Sequence, residues 1–404
     1  MDAQPQTEGR YYRPEMDVVR FLALAFVFLH HALPTDSSVR IDSSLGGFTA
    51  AFYAVVDTCR LGLSLFFTLS AFLICELLLR EKEATGTVVG KQFYIRRILR
   101  IWPLYYLALI IGAIATLLPS GTPSLAPNLG WFAIFMGAWF YAHHGDVPNT
   151  VFQLWSISVE EQFYAFAPWT VKFFNRRALY LFCFAILAVS NAMLFYYGHI
   201  HTGDDEVWFS SLVQFQCFAA GILLCLVLRG RVPALALWHR GLLLAASWGC
   251  WFYAIYGLHA RIGSPQDNPG GWALMGGYAL TSLGCVMILL AFLGIQPRLL
   301  PAWAIYLGRI SYGLYVFHLL ALHIVFDFFP HTRSFHVLVG FVKVCLAFGL
   351  MTLFAAVSYR FFETPFLKLK RRHAVIQSQP ISGWPETGRT ATAIVVPAPS
   401  EKSA

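Results

Sequence analysis

Apolar runs follow one another so closely between residues 17 and 362 that no hydrophilic interval is long enough to fold on its own. A helix needs about 20 mostly apolar residues to cross the hydrocarbon core of a bilayer. Runs that meet this requirement lie at 17–34, 53–79, 99–118, 158–174, 178–197, 209–228, 241–257, 273–294, 303–326 and 338–359. Composition agrees, since 57% of the residues are hydrophobic and 12% charged, where a soluble domain has about a quarter charged. The length would allow two or three soluble domains, but a single membrane domain is the economical reading. The expected fold is all-α, a polytopic membrane protein with about ten transmembrane helices. Residues 1–16 form a cytoplasmic N-terminal segment and 17–372 the transmembrane domain. Residues 373–404, rich in Pro, Ser, Thr and Ala, form a disordered cytoplasmic tail.

Gly130 to Ala142 (GWFAIFMGAWFYA) is too short to cross comfortably, and its Trp and Tyr residues favour the membrane interface. The positive charges decide its role. Arg10 and Arg13 precede the first run, and Lys82, Lys91, Arg96, Arg97 and Arg100 lie between the second and third. Arg176 and Arg177, then Arg229, Arg231 and Arg240, then Lys368, Lys370, Arg371 and Arg372 follow later runs. All these clusters fall on one face only if 130–142 enters and returns, as a re-entrant or interfacial segment. Ten spans then place both termini in the cytoplasm of a multi-pass inner (plasma) membrane protein. An ordinary short tilted span is the alternative. The net charge of +8 sits at helix ends, which fixes orientation in lipid and argues against nucleic acid as partner. The eight cysteines lie mostly in apolar runs without a CxxC pair, and read as core or lipid-facing residues. The polar start and the absence of a small-residue cleavage site make the first run a retained span. No internal repeat stands out.

Ionisable groups inside spans are costly and therefore candidates for function. The first span holds Asp17, Arg20, His30 and His31. Arg20 and His31, eleven residues apart, fall within about 20° of each other on the helical wheel and about 16 Å apart along the axis. His30 points about 80° away from Arg20, so His31 is the member that shares its face. Asp17 can pair with Arg20 along the helix. In the bland reading Arg20 reaches headgroups and the histidines cap an exit. Glu160 and Glu161, in LWSISVEEQFYAF, form either a polar entrance or a catalytic constellation, with at most one pointing at a cavity centre. His318 is deep in SYGLYVFHLLALH, where a satisfied core histidine and a working one are equally good readings. Glu363 reads as a salt-bridge partner of Arg360 at the interface. Arg97 and Arg100, three apart, make a fork suited to phosphate groups or to simple anchoring. The histidines lack ligand spacing with Cys or carboxylate partners, so no metal is expected.

Five segments occur in order, RPEMDVVRFLALAFVFLHH, SLFFTLSAFLICELL, RRILRIWPLYYL, LWSISVEEQFY and GRISYGLYVFHLL, closed by YRFFETPF. Together they resemble the acyltransferase-3 family of multispanning membrane O-acyltransferases, over essentially residues 10 to 370. Ala71 departs from the family, which usually has Gly there. The family's motif of Arg, ten residues and His falls on Arg20 and His31, and its RxxR motif on Arg97 and Arg100. The resemblance implies an acyl-CoA donor on the cytoplasmic side, expected to be acetyl-CoA, with no bound cofactor. It also implies a hydroxyl acceptor such as a surface glycan or a macrolide. Some family members carry an appended extracytoplasmic hydrolase-like domain, which is not expected here.

Acyl transfer from a thioester to an alcohol needs a base, a stabiliser for the oxyanion and a grip on the donor. On this reading His31 is the base or a covalent acyl relay, and Arg20 orients the thioester or binds donor phosphates. Arg97 and Arg100 hold the nucleotide end, and Glu160 or Glu161 orients the acceptor or the imidazole. A secondary transporter or exporter of a small polar metabolite would also use intramembrane Arg, His and Glu, but would usually show inverted repeats. A non-catalytic scaffold would leave the Arg20–His31 register and the arginine fork unexplained.

Overall fold

Pro14 opens the first helix, α1 (Pro14–Ala32), with Glu15 and Asp17 in its first turn and His30 and His31 in its last. Proline at the first helical position sacrifices a donor that would be unsatisfied anyway, and the acidic first turn suits the helix dipole. The computed structural model describes residues 11–34, 40–41, 48–116, 128–145, 151–200, 204–260, 270–328, 334–335 and 337–373. Most of the expected N-terminal segment and all of the expected tail beyond His373 lie outside these residues.

After α1 come α2 (Thr49–Thr58), α3 (Gly62–Thr85) and α4 (Gly90–Thr116), then the short α5 (Leu129–Ala133) and α6 (Gly137–His144). Next are α7 (Leu154–Phe173), α8 (Arg176–Ile200), α9 (Asp204–Phe209), α10 (Ser211–Leu228), α11 (Leu237–Phe252) and α12 (Gly271–Phe292). The chain continues with α13 (Ala302–Arg309), α14 (Ser311–Phe328), α15 (Val337–Val357) and α16 (Thr364–Arg372). Extended structure among the described residues is confined to a two-residue parallel pairing of Arg40–Ile41 with Ser334–Phe335.

Among the described residues, seven helical stretches are long and apolar enough to cross a membrane: Thr49–Thr85, Gly90–Ala115, α8, α10, α12, α14 and Leu338–Arg372. Three of the expected spans fall short of that standard for identifiable reasons. Helix α1 carries Glu15, Asp17 and Arg20, α7 carries Glu160, Glu161 and Lys172, and α11 has only 16 residues before a π-helical turn at Tyr253–Gly257. The expected span 303–326 is two helices, α13 and α14, parted at Ile310.

Helix ends explain why the basic clusters gather at one end of the bundle. The last carbonyls of a helix lack partners within it, and cations satisfy them while opposing the dipole. Lys82, at the end of α3, donates to the Val171 and Phe174 carbonyls that end α7, at 2.8 and 3.0 Å. Arg176, starting α8, donates to Leu226 O near the end of α10 at 2.5 Å. Arg240, starting α11, donates to Ala291 O and Leu293 O at the end of α12, at 2.6 and 2.8 Å. Arg96, near the start of α4, reaches His373 O beyond α16 at 2.9 Å and Glu81 of α3 at 3.0 Å. These joints form one basic face.

Helix α4 therefore leaves the basic face and α7 returns to it, so the segment between them begins and ends at the far face. Helices α5 and α6 have five and eight residues, too few for either to cross a bilayer. Their chain breaks at Ile134–Met136, where Phe135 adopts a positive φ of 59°. Backbone groups freed inside a membrane must find partners within the protein. Here Tyr105 donates to Phe132 O at 2.6 Å, Tyr106 to Ala133 O at 2.9 Å and Gln162 to Phe135 O at 3.0 Å.

Glycines set the closest helix contacts, as expected where apolar lipid gives no driving force between helices and close packing must. A Cβ on Gly308 of α13 would lie 1.9 Å from Asp17 O of α1, and one on Gly221 of α10 would lie 2.2 Å from Thr68 O of α3. Ala71, the departure from the family's Gly, faces Gly221 in that second contact.

Candidate functional site

A cavity of about 770 Å³ opens among α1, α3, α4, α7, α13, α14 and α16, within the range typical of ligand sites. Helix α1 contributes Asp17 and Arg20, α4 contributes Arg97 and Arg100, and α7 contributes Ser156, Glu160 and Tyr164. Arg309, Tyr312 and Tyr315 line it from α13 and α14, and Glu363, Lys370 and Arg371 from the end of the chain's last long helix. Arg20, Asp17, Arg97, Arg100 and Glu160, all singled out from the sequence, thus share one cavity. His31, His318 and Glu161 do not line it.

Positive charge dominates the lining. Arg13, Arg20, Arg97, Arg100, Arg309, Lys370 and Arg371 face three acids, Asp17, Glu160 and Glu363. Some of these cations are already committed. Arg20 pairs with Asp17 one turn away, and Arg13 pairs with Glu76 at 2.9 Å. Arg309 donates to the Tyr12 hydroxyl at 3.0 Å, and Tyr12 in turn donates to Asp17 at 2.8 Å. Burial, with the Asp17 carboxylate beside it, pushes the Tyr12 phenol up to about 12, so it remains a donor to Asp17 near neutral pH.

Arg97, Arg100, Lys370 and Arg371 have no ion-pairing carboxylate among the described residues. Arg97 lies over the Tyr164 ring at 5.1 Å, and its buried Nε has no hydrogen-bond partner. Like charges held together in a partly desolvated space repel one another strongly. Such a group is suited to a ligand carrying several negative charges.

The two glutamates part company, as residues about 100° apart on a helix must. Glu160 faces the cavity and accepts hydrogen bonds from Ser70 at 3.1 Å and Tyr164 at 2.8 Å. Glu161 turns to α4, where Trp102 Nε1 donates to it at 3.2 Å. Glu363 corrects the sequence expectation. It makes no bridge to Arg360, whose exposed guanidinium lies over the Phe361 ring at 5.6 Å. A π-helical turn, Ser358–Glu363, re-aims Glu363 inward, where Ser358 donates to it at 3.1 Å. Gly313, whose Cβ would lie 3.2 Å from the Glu363 carboxylate, leaves room for it. Single-turn π segments often mark functional sites.

Arg20 and His31 stand at opposite ends of α1. Arg20 lines the cavity, whereas His31 is exposed toward the far face, with its ring 5.3 Å from that of His318 and 6.4 Å from that of Phe152. His318 is fully buried, and its Nδ1 lies 2.5 Å from Tyr315 O. The Tyr315 ring lies 5.3 Å from His318 on the cavity side, with its hydroxyl 2.5 Å from Ser156 Oγ. The order along the bundle is therefore cavity, Tyr315, His318, His31. Lys370, Arg371, Arg309, Tyr12, Tyr312, Tyr315 and Ser156 were not singled out from the sequence. A basic end to a helix reads there as membrane anchoring, and tyrosines in an apolar run read as packing. Among the described residues no group of three or more His, Cys, Asp or Glu side chains comes together to hold a metal.

A protein named for O-acetyltransferase activity in Staphylococcus aureus strain MSSA476 is 24% identical over 383 residues, covering 88% of this chain and 58% of the relative. The O-acetyltransferase OatA of Staphylococcus aureus strain NCTC 8325 is 24% identical over 382 residues, covering 88% and 57%. The peptidoglycan O-acetyltransferase OatA of Listeria monocytogenes is 29% identical over 171 residues, covering 40% and 24%. The chain thus spans little more than half the length of the Staphylococcus relatives. No solved structure matches. The acyltransferase domain of the acyltransferase-3 family matches residues 13–360, nearly the whole membrane bundle, and the chain belongs to that family.

Proposed function

We propose that this chain transfers an acetyl group from acetyl-CoA, bound in the basic cavity, to a hydroxyl of a carbohydrate at the far face. The bundle crosses the inner (plasma) membrane ten times, with its basic face and both termini in the cytoplasm. The reaction breaks the thioester C–S bond and forms an ester C–O bond, and the hydroxyl proton ends on the thiol sulfur. Arg97, Arg100 and Lys370 hold the phosphates of the donor, and Arg20, fixed by Asp17, faces its thioester end. Glu160, held by Ser70 and Tyr164, orients the group bound beside it. His31 is the base for the acceptor hydroxyl or the carrier of the acetyl group. A glycan acceptor is supported by the relative named for peptidoglycan O-acetylation.

One observation carries this reading, the cluster of cations without carboxylate partners among the described residues, around a cavity large enough for a nucleotide thioester. The test is acetyl-CoA binding by calorimetry with the purified wild type, His31→Ala, and Arg97→Ala/Arg100→Ala. Binding that survives the loss of His31 and fails without the two arginines supports these roles. A folded wild type that binds neither acetyl-CoA nor longer acyl-CoAs overturns the donor assignment.

A further inference from the structure

His318 is a buried titratable group to which the transfer scheme above gives no task. A carbonyl oxygen can only accept a hydrogen bond, so the 2.5 Å contact with Tyr315 O places the proton of a neutral His318 on Nδ1. The lone pair is then on Nε2, which is buried and has no hydrogen-bond partner. Leaving a buried acceptor unpaired costs roughly 1–3 kcal/mol, so its retention calls for a reason. The next imidazole is His31, with ring centroids 5.3 Å apart and planes 37° apart. At that separation two imidazole nitrogens turned toward each other come within hydrogen-bond reach. Of His31's other ring neighbours, Phe152 has no acceptor. His30, with its ring also 5.3 Å away, likewise directs Nδ1 to a carbonyl, Val56 O at 3.3 Å, but it is half-buried and its Nε2 is not a buried acceptor left unpaired, as that of His318 is.

We propose that His318 is the proton partner of His31, a positioning residue that acts on the transferred group only through His31. This inference rests on the acetyl-transfer reading. His31 donates its N–H to His318 Nε2, which directs its other nitrogen, with the lone pair, to the reaction. As that nitrogen gains a bond, to the acceptor's proton or to the acetyl carbon, the N–H proton passes to His318. The resulting imidazolium is held by its Nδ1–H on the Tyr315 carbonyl. The proton returns to His31 when the new bond breaks, so His318 is unchanged over the cycle. The acceptor's proton still ends on the thiol sulfur. The same arrangement serves His31 as base and His31 as carrier.

The test compares the full-length wild type with His318→Gln and His318→Ala in lipid nanodiscs. Acetyl-CoA binding is read by calorimetry, and release of the CoA thiol by a thiol reagent with water as the slow acceptor. Both variants are expected to bind acetyl-CoA within about twofold of wild type with unchanged KM, and to lose kcat by about 10²–10⁴-fold, the usual contribution of a positioned acid–base group. Gln can accept the His31 hydrogen bond but cannot take its proton, so recovery of kcat in His318→Gln overturns the proposal. So does wild-type kcat in His318→Ala. ¹⁵N-histidine spectra of the wild type supply a reading that survives a misfolded variant. His318 protonated on Nδ1 is the expected result, and protonation on Nε2 overturns the proposal. A wild type that binds acetyl-CoA yet releases no thiol removes the acetyl-transfer reading and this inference with it. Normal release in both variants removes only this inference.

Discussion

Replacing Arg100 by Gln separates two consequences of a crowded cationic cavity that act in opposite directions. In the empty protein Arg100 faces Arg97, Arg20 and Lys370 across the same space, and of these only Arg20 has a carboxylate partner among the described residues. Residues three apart on a helix have Cβ atoms about 5–6 Å apart. Two unit charges at about 6 Å and an effective dielectric near 20 repel by about 3 kcal/mol. Water in an open cavity screens much of this, so relief of about 1 kcal/mol is the expected gain when one charge is removed. The empty Arg100→Gln protein should therefore melt at the same temperature as wild type or about 1–3 °C higher.

Donor binding should move the other way. A hydrogen bond to a charged group is worth about 1.5–3 kcal/mol, so removing one such phosphate contact should weaken acetyl-CoA binding by roughly 10- to 150-fold. Melting with and without acetyl-CoA, at low and high salt, reads both effects in one preparation. The wild type should gain stability on adding the donor, more at low salt than at high, and the variant should gain much less. An Arg100→Gln protein that melts lower when empty and binds acetyl-CoA as wild type would refute the reasoning, because Arg100 would then be a structural residue.

Three further outcomes follow from particular contacts. Gly308→Ala should lower the melting temperature by several degrees, because its Cβ would meet Asp17 O at 1.9 Å and overpacking costs typically 1–3 kcal/mol; an unchanged melt contradicts the α1–α13 contact. Glu363→Gln should change the KM for acetyl-CoA at least severalfold while Arg360→Ala leaves it unchanged, since only the first residue lines the cavity; equal effects in steady-state assays would restore the interfacial pair. Gln162→Leu should lose about 1–3 kcal/mol by leaving Phe135 O without its 3.0 Å donor, read as faster proteolysis or deuterium exchange across 129–144.

The membrane class and the helix bundle were legible because apolar run length and charge placement are local properties of the chain. The shortness of the helical pieces within 130–142 was legible too, since the apolar run there is too short for a comfortable span. The means of support of this segment was not, because Tyr105, Tyr106 and Gln162 are polar residues whose task depends on which carbonyls a neighbouring break exposes. Glu363 misled for a related reason. An α-helical wheel sets it near Arg360, and a single π-helical turn rotates it to the other side. Lys370 and Arg371 look from the sequence like ordinary anchors after a last span, and only the return of α16 beneath α4 makes them walls of a cavity. Where α13 breaks from α14 at Ile310, Gly308, Arg309 and Ser311 do interrupt the apolar run, a local sign that the reading of 303–326 as one span overlooks.

The Arg20–His31 pair shows the same limit at the candidate site itself. Their register along α1 can be counted, and it places both on one side of the helix. What lies between them is set by α14, almost three hundred residues later in the chain. Tyr315 closes the cavity beside Ser156, and His318 stands one turn further on, against His31. On the proposed scheme, a donor held by the cations at one end and an acceptor met by His31 at the other are separated by a layer of side chains. In such an arrangement the acetyl group and the hydroxyl proton travel in opposite directions, the first toward the acceptor and the second toward the thiol sulfur. On that scheme the residues of this layer handle a proton without letting water through. A buried imidazole with one nitrogen fixed on a carbonyl and the other left free has the chemistry for that task, whereas a second arginine there would hold its proton at every working pH.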